Sequence, residues 1–351
     1  MEQVRIGVVG AGRLGGFHAS KAAKHSSVQL AGVVDVCQEN RERLATQFQT
    51  RAFATPEELL PHVDAVILAT PSILHASLAR KLLMAGKHLL VEKPIATSAS
   101  TALELAHMAS SRGLVLQCGH VEQYNPAWKA ALARLSDVRA GVVPAYIEAK
   151  RASGYTFRST DVGATLDLMI HDLELILSLI PSEVENVSAF GVTQFGGHED
   201  AAFATLEFAN GSIARLSASR IEMTPVRHMT IRQASQCIDV NFATRTATLI
   251  TPSVHVLSGQ YSPEKVCYAQ IAPRVPNFMQ EEYAQVELTH EPFDALELEM
   301  SDFVNAIMYG APSTVPGTRA AKAVAVAEMV IEDLQRRADR SGQTRRLRAV
   351  A

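Results

Sequence analysis

Apolar positions along the chain fall into two regimes, and the change between them predicts two units. Through about residue 120, short continuous apolar runs alternate with amphipathic segments. Val4–Val9, Val28–Val34, Val63–Ala69, His88–Val91 and Leu114–Gly119 read as buried strands. The segments between them predict helices, among them about His75–Ala85, ended by Gly86, and about Ser98–Arg112, closed by Gly113. Buried strands separated by helices of this length mean a parallel sheet wound on both faces.

After a helix near Pro126–Leu135 the strands follow one another. Tyr146–Arg151 is the first, then a long helix over about Gly163–Leu179, stopped by Pro181. Val187–Val192, Ala201–Phe208 and Ser212–Arg220 read as antiparallel neighbours, with Asn210-Gly211 as a two-residue hairpin turn. Further strands are expected at Met229–Arg232, Ile238–Phe242, Ala247–Ile250 and Gln285–Leu288. Helices over about Leu296–Met308 and Thr318–Arg337 close the chain. Gly259–Gln280, punctuated by proline and glycine, reads as a long loop serving as an arm or lid. The second unit is therefore expected to be an open antiparallel sheet with helices on one face.

The first thirty-five residues add chemistry. The first strand runs into Gly10-Ala11-Gly12-Arg13-Leu14-Gly15, a G-x-G-x-x-G opening a helix, and the second strand ends in Asp35. This is the dinucleotide-binding fingerprint of a Rossmann unit. Gly10 serves the tight turn, Gly12 the approach of a pyrophosphate, and Gly15 the close packing of helix on strand. The pyrophosphate would rest on the helix N-terminus, where free N–H groups and the dipole favour an anion. Asp35 would accept hydrogen bonds from the adenosine ribose and repel a 2′-phosphate. Val36 and Cys37 offer no cation, and Arg41 lies along the next helix, so NAD is expected over NADP. Asp35 could equally cap that helix. The expected fold is α/β plus α+β: a doubly wound Rossmann domain over 1–122 and a substrate-binding and oligomerisation domain over 123–351.

Composition narrows the partners. The 351 residues suit two domains, and 47% hydrophobic with 20% charged content suits an ordinary globular protein. A net charge of −3 supplies no phosphate-tracking field, so no nucleic-acid partner is expected. The basic cluster Arg336-Arg337 and Arg345-Arg346-Leu347-Arg348 reads as a solvated helix end and tail. No apolar run has the length of a membrane span, and a cleaved leader would remove the first strand. Cys37, Cys118, Cys237 and Cys267 are scattered, without C-x-x-C spacing. Reduced thiols, a cytoplasmic location and no metal are expected.

Three groups lie where chemistry is expected. Glu92-Lys93-Pro94 ends a parallel strand, where ligands of open α/β sheets bind; Lys93 alone could also be a surface lysine. Asp167 and His171 share a helix face at i,i+4, as a proton-transfer pair or a simple ion pair. Gly119-His120-Val121-Glu122-Gln123-Tyr124-Asn125-Pro126 leaves the first domain and could be only a linker.

Together with Thr70-Pro71 and His75, these groups resemble the glucose–fructose oxidoreductase/inositol dehydrogenase/MocA family over nearly the whole chain. The resemblance implies that Lys93, Asp167 and His171 flank substrate and nicotinamide as the catalytic set. It implies cofactor contacts at Gly10, Gly12, Arg13, Leu14, Gly15, Asp35, Thr70, Pro71, His75, Glu92 and Lys93. It also implies that the exposed face of the second sheet makes a homo-dimer or homo-tetramer, with Val187, Phe203 and Ile213 as contributors. The Gly119–Pro126 stretch and Asp161–Leu173 are similar to a sugar-nucleotide branch whose members oxidise the 3-hydroxyl of UDP-N-acetylglucosamine. A pyridoxal-phosphate aminotransferase then acts on the 3-keto sugar, for lipid A or surface polysaccharide. On that reading Glu122, Tyr124, Asn125, Lys150, Arg151 and Arg158 join Lys93, Asp167 and His171 around a UDP-sugar. The branch commonly has arginine where this chain has Gln123. A dehydrogenase of a free polyol, aldose or inositol, and a silent NAD-binding regulator, are the alternatives.

Overall fold

The computed structural model describes residues 3–135, 143–195 and 197–341. Its first layer is a six-stranded parallel sheet in the order β3-β2-β1-β4-β5-β6. The strands are β1 (Val4–Val9), β2 (Val28–Val34), β3 (Arg51–Phe53), β4 (Ala65–Leu68), β5 (His88–Glu92) and β6 (Leu116–Gly119). Helices α1 (Arg13–Lys24), α2 (Gln38–Phe48), α3 (Ser72–Met84) and α4 (Ala99–Ser111) connect them. The strand order reverses between β1 and β4, so their carboxyl ends open a crevice at that point.

The second layer is an eight-stranded sheet ordered β14-β13-β12-β11-β7-β10-β9-β8. Its strands are β7 (Tyr146–Ala152), β8 (Val184–Val192), β9 (Ala201–Phe208), β10 (Ile213–Ser219), β11 (Val226–Arg232), β12 (Cys237–Asn241), β13 (Thr246–Pro252) and β14 (Tyr283–Leu288). One pair departs from the antiparallel expectation: β7 and β10 run parallel. The cause is connectivity. The chain leaves β7 through a helix to the far edge at β8, and the β8-β9-β10 meander returns beside β7 in its own direction. A tight hairpin forms there, with three loop residues where two were expected: Phe208 pairs with Ser212, the Gly211 amide donates to the Phe208 carbonyl across Ala209-Asn210, and Gly211 follows at φ 82°.

Alternation with a period of two decides which residues face the first layer. Ile147, Ala149 and Arg151 of β7 are buried, whereas Glu148 and Lys150 point to the open face. On that open face Phe203 packs against Phe190, ring centroids 6.4 Å apart, and Ile213 is exposed nearby. Val187 pairs with buried Leu206 and so belongs to the covered face, against the expectation that it lies on the open one. The shift arises at a bulge between Val184 and Asn186, which resets the alternation of β8.

The chain's last two helices return to the first layer. Met300, Phe303 and Val304 of α7 (Ala295–Tyr309) are buried in one core with Ile6, Val8 and Val33. The long helix α8 (Gly317–Ser341) carries a buried stripe of Ala320, Ala323, Val324, Ala327 and Val330. Its small side chains allow close approach to Ala102, Ala106 and Ala109 of α4. The two layers therefore share one hydrophobic core. At the helix end Arg337 pairs with Asp333 at 2.8 Å. Arg345, Arg346 and Arg348 lie outside the described residues. The expected Gly259–Gln280 loop is a chain of short helical turns, Tyr268–Ile271, Ala272–Asn277 and Phe278–Glu282. Arg274 clasps it by bonding Glu281, Glu282 and Tyr261. Among the described residues no helix is long and apolar enough to cross a membrane.

Candidate active site

The crevice begins at the glycine turn. Gly10 has φ 101°, and a Cβ there would sit 2.4 Å from the Ala69 carbonyl oxygen. A Cβ at Gly15 would sit 1.7 Å from the Gly10 carbonyl oxygen, so helix and strand could not pack. Gly12 differs: a Cβ there would meet nothing within 4 Å. It is the N-cap of α1 and offers no capping side chain, so the first amides of the helix take no bond from their own cap. These features fit a dinucleotide pyrophosphate.

Asp35, at the end of β2, accepts from the amides of Ala11 (2.7 Å) and Cys37 (2.8 Å), which fix its carboxylate over the turn. Arg41 is closer than its place in the sequence suggests. Its guanidinium folds back onto the carbonyls of Asp35 (3.2 Å) and Val36 (3.3 Å). Those bonds engage Arg41 with the backbone while Asp35 presents the carboxylate.

At the crevice's other end, the Lys93-Pro94 bond is cis. Lys93 Nζ donates to the Asp167 carboxylate (2.8 Å) and to the Asp167 carbonyl (2.6 Å). This pair joins the carboxyl end of β5 to the second layer. Asp167 lies in a π-helical turn, Thr165–Met169, which precedes α6 (Ile170–Leu179) where a continuous α-helix was expected. Such turns recur at functional sites. The turn is held at its start by Glu199, whose carboxylate accepts from the Thr165 amide at 3.0 Å. Arg220 holds the preceding loop: it pairs with buried Asp200 at 2.8 Å and donates to the Val162 carbonyl at 3.0 Å.

His171 follows on the same side, half-buried, with Nδ1 buried and unpartnered. Burial first, then the charges of Lys93 and Arg151, hold its imidazole well below the usual pKa of 6.5. It is therefore neutral at pH 7. His120, just beyond β6, sets its ring edge-on to His171 with centroids 5.9 Å apart. Both His120 nitrogens are buried without partners, and burial with the Lys93 charge lowers its pKa to about 3. In the sequence His120 falls within the Gly119–Pro126 group without a role of its own; its place directly after a strand's carboxyl end was the available signal.

Several expected contacts are engaged within the protein. Both ring nitrogens of His75 face carbonyls, of Pro94 (2.8 Å) and Thr70 (2.9 Å), so His75 straps two crevice loops together. Pro71 caps α3. Thr70 Oγ1, by contrast, is buried and unpartnered. Glu92 pairs with His18 at 2.6 Å and accepts from the Lys93 amide at 3.3 Å. Burial opposes its ionisation, but the His18 bond and the charges of His18 and Lys93 outweigh that and hold the carboxyl below its usual range. Tyr124 donates to Asp302 at 2.7 Å. Asn125 caps α5 (Pro126–Arg134) and donates to Glu122 at 3.0 Å. Gln123 is buried, donating to Glu174 (2.8 Å) and accepting from Trp128 (3.0 Å). Glu174 takes its cation from Arg319 of α8, at 2.5 Å. Position 123 thus faces the interior.

The three expected substrate cations separate. Arg151 is buried between Asp172 and Glu122, 2.8 Å from each, which commits it to a structural triad. Lys150 lies on the opposite face of β7, 3.9 Å from Glu222. Arg158 is exposed on the loop between Phe157 and Ser159, both at positive φ. Neither Lys150 nor Arg151 is thereby presented to the Lys93–His171 crevice as a free cation. Arg227 of β11, which the sequence reading passed over, pairs in register with Arg151 and keeps a 57% exposed side chain.

Known proteins agree with this architecture. Residues 4–120 match the model of an oxidoreductase family with an NAD-binding Rossmann fold, and residues 133–232 match the GFO/IDH/MocA C-terminal domain. A UDP-N-acetylglucosamine 3-dehydrogenase of Acidithiobacillus ferrooxidans is 36% identical over 94% of this chain and 97% of its own. A solved structure of that enzyme superposes with a TM-score of 0.81, at 33% identity, covering 95% of this chain and 98% of its own. The rhizopine catabolism protein MocA of Rhizobium meliloti is 25% identical over 96% of each chain.

Proposed function

This chain belongs to the GFO/IDH/MocA oxidoreductase family, and within it we propose that it oxidises the 3-hydroxyl of a UDP-N-acetylhexosamine, with UDP-N-acetylglucosamine as substrate. The observation that carries the chemistry is the Lys93–Asp167 pair placed beside a neutral His171 at the strand ends. His171 takes the proton of the 3-hydroxyl, a role open only to an unprotonated imidazole. Lys93 hydrogen-bonds the same oxygen and stabilises the negative charge it develops. Asp167, whose bonds run to Lys93, aims the ammonium group. The chemistry that NAD would supply here is an acceptor for the hydride of the sugar carbon. Gly10, Gly12, Gly15, Asp35 and Thr70 would hold the cofactor. The choice of a sugar nucleotide is supported by the likeness to the Acidithiobacillus ferrooxidans enzyme over nearly both whole chains.

The 3-keto product calls for a pyridoxal-phosphate aminotransferase as functional partner, in a cytoplasmic route to lipid A or surface polysaccharide. The open sheet face, with Phe190, Phe203 and Ile213, makes the contact of a homo-dimer or tetramer. Light scattering at micromolar concentration checks this, and a monomer contradicts it. The function is tested by NADH appearance at 340 nm with UDP-N-acetylglucosamine. Turnover of inositol or glucose but of no UDP-sugar would assign the chain to a free-polyol or aldose dehydrogenase instead. Absence of turnover on either class, with NAD binding intact, would identify a silent regulator.

A further inference from the structure

The cations whose fields bear on His171 are Lys93, Arg151 and Arg227. The first two are bonded to carboxylates: Lys93 to Asp167, and Arg151 to Glu122 and Asp172. Arg227 sits directly opposite Arg151 in the antiparallel β11–β7 pair, so its side chain leaves from the same, site-facing side of the sheet. Its nearest carboxylate oxygen, on Glu122, is 3.9 Å away and already accepts from Arg151 at 2.8 Å. The rest of the alternation makes this exposure unusual. Met229 and Ile231, which follow on the same face, are buried, whereas the Arg227 side chain is 57% exposed. A strand residue that points toward the covered face and remains in contact with solvent lines an opening.

We propose that Arg227 is the diphosphate-binding residue of this site and the determinant of its preference for a nucleotide-linked sugar over a free one. The inference rests on the sugar-nucleotide reading above. The geometry of such a substrate supports it. In a sugar linked through C1, one ring carbon separates C1 from the reacting C3. The diphosphate therefore lies about one ring width from the hydroxyl that meets His171 and Lys93. Arg227 comes within 3.9 Å of Glu122, two residues along the turn from His120, whose ring meets that of His171 with centroids 5.9 Å apart, so its guanidinium opens toward the same crevice. Its planar fork of donors matches phosphate oxygens, which a lysine meets only as a point charge. Arg151 cannot serve, because turning to a substrate would leave Asp172 buried and unpaired. Lys150 faces the other side of the sheet.

The test compares unmodified protein with R227Q and R227K. Calorimetry measures UDP binding, and steady-state kinetics measure UDP-N-acetylglucosamine oxidation. R227Q should weaken UDP binding and raise KM by about 10- to 100-fold, the worth of a hydrogen-bonded charge contact. The change in kcat should be smaller, and NADH binding should be retained. R227K should recover part of the loss. The salt dependence of kcat/KM should flatten in R227Q, because one screened charge pair is gone. Unchanged UDP affinity and KM in R227Q, with the unmodified protein active on UDP-N-acetylglucosamine, would overturn this proposal and leave the functional reading standing. Failure of the unmodified protein to bind UDP or oxidise any UDP-sugar would overturn both.

Discussion

Replacing Arg151 by alanine should damage the fold far more than it damages substrate affinity. Asp172 receives three hydrogen bonds in this structure, at 3.2, 3.1 and 2.8 Å, and all come from Arg151. The carboxylate is buried, and burial already holds its pKa above the usual range despite Arg151. Removing the guanidinium strands that charge: Arg227 comes within 3.9 Å of Glu122, but its charge acts on Asp172 more weakly than those of Arg151 and Glu122. Breaking a buried pair from one side costs about 3–5 kcal/mol. With an unfolding entropy of about 0.5 kcal/mol/K for the second domain, that is a fall of about 6–10 °C in melting temperature. Calorimetric melts at pH 8 measure it. The variant's folded-state carboxyl titrates above its unfolded value, so the folded form takes up the extra proton as pH falls. The deficit should therefore shrink on acidification toward pH 5. Combining R151M with E122Q and D172N should recover much of the loss, since a neutral set leaves no stranded charge. If R151A melts within about 1 °C of the unmodified protein and instead raises KM for the UDP-sugar tenfold, the triad argument is wrong. Arg151 is then the substrate contact that the sequence alone suggested.

Further outcomes follow from the same geometry. NAD(H) should bind much more tightly than NADP(H); D35A with a cation introduced at Val36 or Cys37 should narrow the gap, and equal affinities in the unmodified protein would remove Asp35 from that role. H171A and K93A should each lower kcat by about 10²–10⁴-fold, with D167N intermediate. NAD affinity, measured by fluorescence titration, should change little in H171A; near-normal turnover in that variant rules out the proposed base. In a pH profile of kcat/KM for oxidation, the acid limb should fall below pH 6.5, because His171 is held neutral by burial and by the charges of Lys93 and Arg151. Replacing Lys93 with glutamine removes one of those charges and should move the limb upward on the residual activity.

The parallel sheet was legible because its central strands are buried on both faces and so read as unbroken apolar runs, as Ala65–Leu68 does. The glycine turn was legible because its constraints are local to the chain: Gly10 takes φ 101°, and Gly15 is barred from bearing a Cβ by the Gly10 carbonyl oxygen. The long-range features were not. The parallel β7–β10 pair depends on where a helix delivers the next strand, and β3 is only three residues long. Val187 changed faces because of a bulge that no hydropathy pattern marks. Lys150, Arg151 and Arg158 look alike as a run of cations near the catalytic helix. What separates them is the strand period and the carboxylates of Glu122 and Asp172, supplied by a turn after β6 and by α6.

That separation bears on how the site can hold so much charge and still keep the proposed base, His171, neutral. Lys93, Arg151 and Arg227 together bias the nearby imidazole toward its neutral form, which is the form a proton acceptor needs. Two of them meet carboxylates from the second layer, Asp167 on the π turn and Asp172 on α6, so packing that turn and helix against the crevice neutralises the cations and seats the base in one act. An isolated first layer would leave Lys93 without its partner and the crevice without His171. The proposed catalytic arrangement is therefore a property of the docked layers. Loosening α6, for instance by truncating Arg220 or Glu199 at the loop that leads into it, should lower turnover while leaving the dinucleotide turn and its affinity for NAD intact. Nucleotide titration alongside turnover would expose a loss of both together, and that would place the base's support elsewhere.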